Sequence, residues 1–293
     1  MTDRPSGTAT DPRTPETAGV QLSATEVDDT PIFLRDDGRY VATDLARGPW
    51  DPGACHGGAP AALLAAAVEV SPTLTAMQVV RLTYDLQRPV PVDKPLDLEV
   101  EISREGKRIQ TVNAALLHDG LELVRCRALK IRTTALHLPE DRPQPIPSPT
   151  PPPHDLPRFV GHPGEEPIGF WRAVDVRFVQ GSLGEPGDGV AWFKVISPLS
   201  DGLPLTPLAR AAAASDFGNG IGSPLPTGRH RYINPDLTVA LHRLPVTDWV
   251  ASRASSVADE HGIGLSTAHL ADEHGGIGTA VQTLYIDEGT RSR

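Results

Sequence analysis

Three single residues and one tripeptide in this sequence carry chemistry at odds with their surroundings. Asp216 lies eight residues after Leu208 and four after Ala212, which puts all three on one stripe of a helix. A carboxylate on an apolar stripe is costly to bury unless it is paired or used. Gln282 alternates with Ala280, Leu284 and Ile286, so a strand there sets an amide in an apolar row. A buried amide must find partners, and a glutamine can hold a water with its carbonyl while donating elsewhere. Asn234 stands directly before Pro235 and Asp236, where its amide could contact a water or an oxyanion. His56-Gly57-Gly58 opens an Ala/Leu-rich stretch, and free N–H groups at a helix start suit a developing negative charge. Groups of these kinds can hold a water or meet a developing negative charge. Each also has a structural alternative. Asp216 could end its helix and face water, helped by the turn-like Phe217-Gly218-Asn219-Gly220; Gln282 could be satisfied by backbone, Asn-Pro is a common turn signal, and the glycines could form a tight turn under a sheet.

The elements that must position these residues come in two similar sets. Leu82-Thr83, Leu86 and Arg88 recur 155 residues later as Leu237-Thr238, Leu241 and Arg243. The same offset pairs Gly120 with Gly275, Leu129 with Leu284 and Ile131 with Ile286, and makes Arg127 the counterpart of Gln282. Upstream the offset becomes 147, pairing Pro60 with Pro207 and Glu69 with Asp216. Such self-similarity is the signature of a repeated unit. In the first set, Gly57 to Glu69 is rich in helix formers, and strands are expected at Val80–Leu86, Leu96–Ile102, Thr111–Leu117 and Leu121–Ile131, with a turn at His118-Asp119-Gly120. In the second, strands near Ala173–Val179 and Val190–Ile196 precede a helix from Pro207 to Asp216, opened by Thr206 and a first-turn proline. Strands follow at Leu237–Leu241, Val250–Ala258, Leu265–Leu270 and Thr279–Ile286, with a turn over Asp272 to Gly276. One helix and a run of antiparallel strands, twice over, predicts an α+β protein with each sheet wrapped around a central helix.

Residues 1–27 lack apolar periodicity and read as a disordered tail, while the proline-rich stretch 138–167 reads as a linker. These divide the rest into domains at 28–137 and 168–288, the second carrying the candidate carboxylate and amides. A net charge of −10 without a basic run argues against nucleic acid as the main partner. No apolar run is long enough to span a bilayer, the first 20 residues lack the pattern of a secretory signal, and two cysteines cannot make a disulfide framework. A cytoplasmic protein is expected, with no membrane insertion. The histidines lack ligand spacing and no glycine-rich phosphate loop follows a strand, so neither a metal nor a cofactor is expected. Cys55 beside His56 reads as a plain buried thiol rather than half of a dyad.

Gly48-Pro49-Trp50 leading to His56-Gly57-Gly58, the Leu-Thr-x-x-Leu-x-Arg strand and the closing Ala280-Val281-Gln282-Thr283-Leu284 together resemble the acyl-CoA thioesterase II family, in its thioesterase-like branch of tandem double hotdogs. The resemblance covers roughly 30–137 and 168–287. It implies that Asp216 and Gln282 hold the hydrolytic water as catalytic residues. Asn234 falls where the family has a Thr or Ser, which is a departure. His56, Gly57 and Gly58 would bind substrate, an acyl-CoA or related acyl thioester. A double hotdog that holds such a ligand without cleaving it is the competing reading, and assembly into a homo-oligomer is left open.

Overall fold

The computed structural model describes residues 29–161, 167–226 and 230–288. The expected tail lies outside them. The first half contains β1 (Phe33–Asp36), β2 (Arg39–Ala42), α1 (Gly58–Glu69), β3 (Met77–Leu86), β4 (Pro95–Arg104), β5 (Ile109–His118) and β6 (Leu121–Arg132). The second contains β7 (Val174–Gln180), β8 (Gly189–Val195), α2 (Pro207–Ser215), α3 (Gly218–Ile221), β9 (His230–Ile233), β10 (Asp236–Leu241), β11 (Val250–Ala258), β12 (Ile263–Asp272) and β13 (Gly275–Glu288). The β1–β2 hairpin is absent from the sequence reading, and α3 replaces the turn expected after Asp216.

The helices lie where an apolar helix must. Every residue of α1 from Gly58 to Val68 is buried, so this helix has no wet face and belongs to the core. Its Leu63, Leu64 and Val68 are fully enclosed, each worth roughly 1.5–3 kcal/mol of burial. The α2 start follows its signals: the Thr206 hydroxyl accepts from Ala209 N–H at 3.1 Å, and Pro207 occupies the first turn.

The strands form one antiparallel sheet in the order β1-β2-β4-β5-β6-β3-β10-β13-β12-β11-β8-β7, with β9 on the far end of β13. Read outward from its centre, β3-β6-β5-β4-β2-β1 mirrors β10-β13-β12-β11-β8-β7. The centre is the β3–β10 pair, where Thr83 faces Thr238, Leu82 faces Val239 and Tyr84 faces Leu237. Thr83 and Thr238, 155 apart, thus face each other on a local twofold, and two hotdogs joined edge to edge make the tandem fold. The 155 offset stops there. Thr83 pairs with Arg127 in β6, and Thr238 with Val281 in β13, so the later strands match at 154. The counterpart of Gln282 is therefore Ala128, not Arg127, and the identities at 120/275, 129/284 and 131/286 join positions that are not equivalent. Leu86 is followed 16 residues later by Ile102 on β4, and Leu241 only 15 residues later by its ladder equivalent Ser256 on β11, so one residue is lost between them.

The proline-rich segment is strapped to the second half from Ile146 to Phe159. Ile146 O accepts from Gly276 N–H at 2.8 Å, Ser148 Oγ donates to Asp272 O at 2.7 Å, and Arg177 Nη1 donates to Pro153 O at 2.8 Å. Prolines cannot donate, so this strand-like run is held through its carbonyls and side chains.

Candidate active site

Asp216 is the residue at which α2 ends, and only 5% of it is exposed. The chain turns at once into α3 and carries the carboxylate inward, under β13. Gln282 points from β13 toward the helices and is 1% exposed. Its Nε2 donates to Asp216 Oδ1 at 3.3 Å and to Asp216 O at 3.4 Å. Asn234, between β9 and β10, donates from Nδ2 to the same Oδ1 at 2.8 Å. The two amides therefore converge on one oxygen of one carboxylate.

The other oxygen faces the first half. His56 Nδ1 lies 3.0 Å from Asp216 Oδ2. The same ring nitrogen lies 3.0 Å from Gly58 N. One nitrogen cannot serve both: with a proton it donates to the carboxylate, and without one it accepts from Gly58 N–H. The charge-assisted bond is about twice as strong as a neutral one, so we assign the proton to Nδ1 and the bond to Asp216. The Gly58 N–H is then left facing a donor. Gly57 N–H finds no acceptor among the described residues, and both sit at the positive end of the 12-residue helix α1. Gly57 also lets the halves meet: a Cβ there would stand 2.7 Å from Asp216 Oδ2.

His56 is placed by an aromatic cluster in which Phe170 and Phe217 also stack on each other, 5.8 Å between centroids. Its ring centroid is 4.6 Å from that of Phe217 and 5.1 Å from that of Phe170. Phe170 reaches it from a 3-10 turn, Gly169–Trp171, clamped to the first half by Phe170 N–H donating to Arg47 O at 2.8 Å. Gly169 has φ +54°, and a Cβ there would sit 2.1 Å from Arg47 O, so only glycine fits this contact. The neighbouring Cys55 is a neutral thiol, because burial, with Asp93 adding to it, pushes it up to about 12.

All six residues singled out from the sequence thus fall in one place, drawn from both halves. The carboxylate and two amides come from the second, and the imidazole and glycines come from the first. Sequence reasoning missed Asn219, whose backbone N–H donates to Gln282 Oε1 and whose Nδ2 donates to Asn234 Oδ1, each at 3.2 Å. It lay in a glycine-rich stretch read as a turn. No group of three or more His, Cys, Asp or Glu among the described residues could hold a metal ion.

Two family models match the chain in tandem: an acyl-CoA thioesterase N-terminal domain over residues 46–133 and an acyl-CoA thioesterase C-terminal domain over 141–286. Among solved structures, a hot dog fold protein of unknown function from Alicyclobacillus acidocaldarius superposes with TM-score 0.66 at 20% identity, covering 90% of this chain and 98% of that one. A putative thioesterase II from Thermobifida fusca gives 0.62 at 20%, covering 91% and 99%. The acyl-CoA thioesterase II TesB2 from Mycobacterium marinum gives 0.60 at 20%, covering 86% and 94%. At these identities the superpositions speak for the double hotdog fold. No curated protein sequence matches the chain.

Proposed function

The chain belongs to the acyl-CoA thioesterase family and is a thioester hydrolase, and from that premise we propose that it cleaves an acyl-CoA with a water polarised by Asp216. The observation that carries this reading is the convergence of His56 Nδ1, Asn234 Nδ2 and Gln282 Nε2 on one buried carboxylate beside a helix start. Oδ1 has both lone pairs taken by amides, and Oδ2 has one taken by His56. The remaining lone pair of Oδ2 accepts a proton from the attacking water. Gln282 Oε1, with one lone pair already used by Asn219, offers the water a second acceptor.

The steps follow from those positions. The water oxygen attacks the thioester carbonyl carbon as its proton moves to Asp216. Charge developing on the carbonyl oxygen is met by the N–H of Gly57, aided by the α1 dipole, while the Gly58 N–H stays turned to His56 Nδ1. Collapse of the tetrahedral species breaks the C–S bond. CoA leaves as a thiolate and takes up the proton held by Asp216, while the acyl group leaves as a carboxylic acid. Because a thiolate leaves readily, Asp216 need not be a strong base.

Thiol release across short, medium, long and aromatic acyl-CoAs tests this reading. Asp216→Asn keeps the shape and removes the proton acceptor, so kcat should fall by at least about a hundredfold on every substrate turned over. Wild-type turnover in a folded Asp216→Asn variant would sink the mechanism. Saturable acyl-CoA binding by the wild type with no thiol release over hours would sink hydrolysis itself.

A further inference from the structure

A side-chain amide has a donor end and an acceptor end, and it can sit either way round in nearly the same space. Two of them lean on Asp216. If either turned over, it would set a carbonyl oxygen against a carboxylate oxygen. Something in the fold must therefore fix both orientations.

We propose that Asn219 is the positioning residue that does this from the oxygen ends, an inference that rests on Asp216 being the group that polarises the water. The carbonyls of Asp236 and Asp216 act alongside it, accepting from the nitrogen ends of Asn234 (3.3 Å) and Gln282 (3.4 Å). Asn219 N–H donates to Gln282 Oε1 at 3.2 Å, and Asn219 Nδ2 donates to Asn234 Oδ1 at 3.2 Å. With both oxygen ends occupied, the nitrogen ends are left for Asp216, at 3.3 Å from Gln282 and 2.8 Å from Asn234. One residue thus reaches both amides, through its backbone and through its side chain. Its place is set by the helix that carries it. Gly218 lies so close to the sheet that a Cβ there would come within 3.0 Å of Gln282 Oε1 and 3.4 Å of Ser266 Oγ. The next residue, Asn219, then presents its backbone N–H to Gln282 and its half-buried side chain to Asn234.

This division of labour makes a distinctive prediction. Substitution of Asn219 removes the side-chain bond and leaves the backbone bond, so its effect must run through Asn234 alone. A double-mutant cycle reads that directly, using thiol release on the acyl-CoA the wild type turns over fastest. Asn219→Ala should lower kcat about tenfold with KM within about twofold, and Asn234→Ala should lower it about thirtyfold. The double variant should match Asn234→Ala to within about twofold, because the second loss removes a group whose partner is already gone. Asn219→Asp has the same size but swaps a donor for an acceptor, and it should fall below Asn219→Ala at a similar thermal midpoint.

Losses that multiply in the double variant, or wild-type kcat in Asn219→Asp or in either single alanine variant, would overturn the proposal. Asp216→Asn, run alongside, separates the two levels. Full activity there removes the underlying reading. An inactive Asp216→Asn with multiplying losses at 219 and 234 removes only the role of Asn219.

Discussion

Gly57→Ala adds a single methyl group where the two halves meet at the site. Gly57 has φ −57° and ψ −28°, ordinary right-handed backbone, so alanine adopts it without strain. The added Cβ would stand 2.7 Å from Asp216 Oδ2 and 3.0 Å from Oδ1, where ordinary contact begins near 3.4 Å. The carboxylate must retreat by about 0.7 Å. Its tethers are 3.0 Å to His56 and 2.8 Å to Asn234, so that retreat stretches at least one of them past hydrogen-bonding length. Hydrogen bonds to a charged group are worth about 1.5–3 kcal/mol, and a misplacement near 1 Å at a reacting centre costs on the order of a hundredfold. We therefore expect kcat to fall about a hundredfold, equivalent to roughly 2.7 kcal/mol. Stability should fall with the stretched bond, by about 1.5–3 kcal/mol, since the smaller unfolded-state entropy of alanine and its poorer capping offset each other to within about 1 kcal/mol. Gly58→Ala is the companion test. Its Cβ would meet the Ala213 carbonyl at 2.9 Å, which is backbone of α2 and cannot swing aside, so that variant should lose stability as well. Thiol release and a thermal melt on both variants make the test. A Gly57→Ala enzyme within about threefold of wild-type kcat would show that the rate does not depend on where this carboxylate sits.

Two further outcomes follow from charged and titrating groups away from the chemistry. Arg243 grips the fully buried Asp272 through two 2.6 Å bonds and Gly275 O at 2.8 Å, so Arg243→Met should lose about 3–5 kcal/mol in urea unfolding by stranding a buried charge. Burial alone would raise the Asp272 pKa, but bonds from Arg243 and from the N–H groups of Val246 and His274 outweigh it and hold it below the ordinary carboxylate value. A depressed folded pKa gives stability that is full above the unfolded pKa, about 4, and is lost as pH falls through the folded value; wild type should thus lose stability more steeply below about pH 4 than Arg243→Met does. Cys55, pushed up to about 12, should be only about one part in ten thousand thiolate at pH 8, so mass spectrometry after iodoacetamide treatment of the native enzyme should find it unmodified.

The parts legible in the sequence were those governed by local pattern. The α1 and α2 spans, the alternation in β4 and the inward face of β13 all follow from period and capping. Gln282 stood out because an amide broke an apolar row, and the structure buries that row from Ala280 to Ile286. The β1–β2 hairpin could have been read from Asp37-Gly38, a strong hairpin dipeptide, both of whose residues have positive φ. Other features were not available. The 154 register of the later strands was masked by common residues that happen to match at 155. Asn219 carries no signal, because its importance comes from two partners that lie 15 and 63 positions away in sequence.

The local twofold poses a question that the residues answer. A double hotdog offers two equivalent places for a site, each at the end of one helix and the start of the other. Only one is equipped. Across β11, β12 and β13 the inward row reads Ser256, Ser266, Gln282; its counterpart across β4, β5 and β6 reads Ile102, Val112, Ala128. At the helix starts, His56-Gly57-Gly58 stands against Leu203-Pro204-Leu205, and the first turn of α2 is already satisfied by Thr206 and Pro207. Among the described residues of that row and that helix start there is neither an imidazole nor a side-chain amide to support a carboxylate. At the end of α1 the Lys130 ammonium instead donates to Ser71 O at 2.9 Å and Glu69 O at 3.3 Å, which caps the helix. The second position thus keeps a capped helix end and apolar side chains in place of the polar set. Neither half is scaffold alone, since the first lends its helix start to the carboxylate of the second.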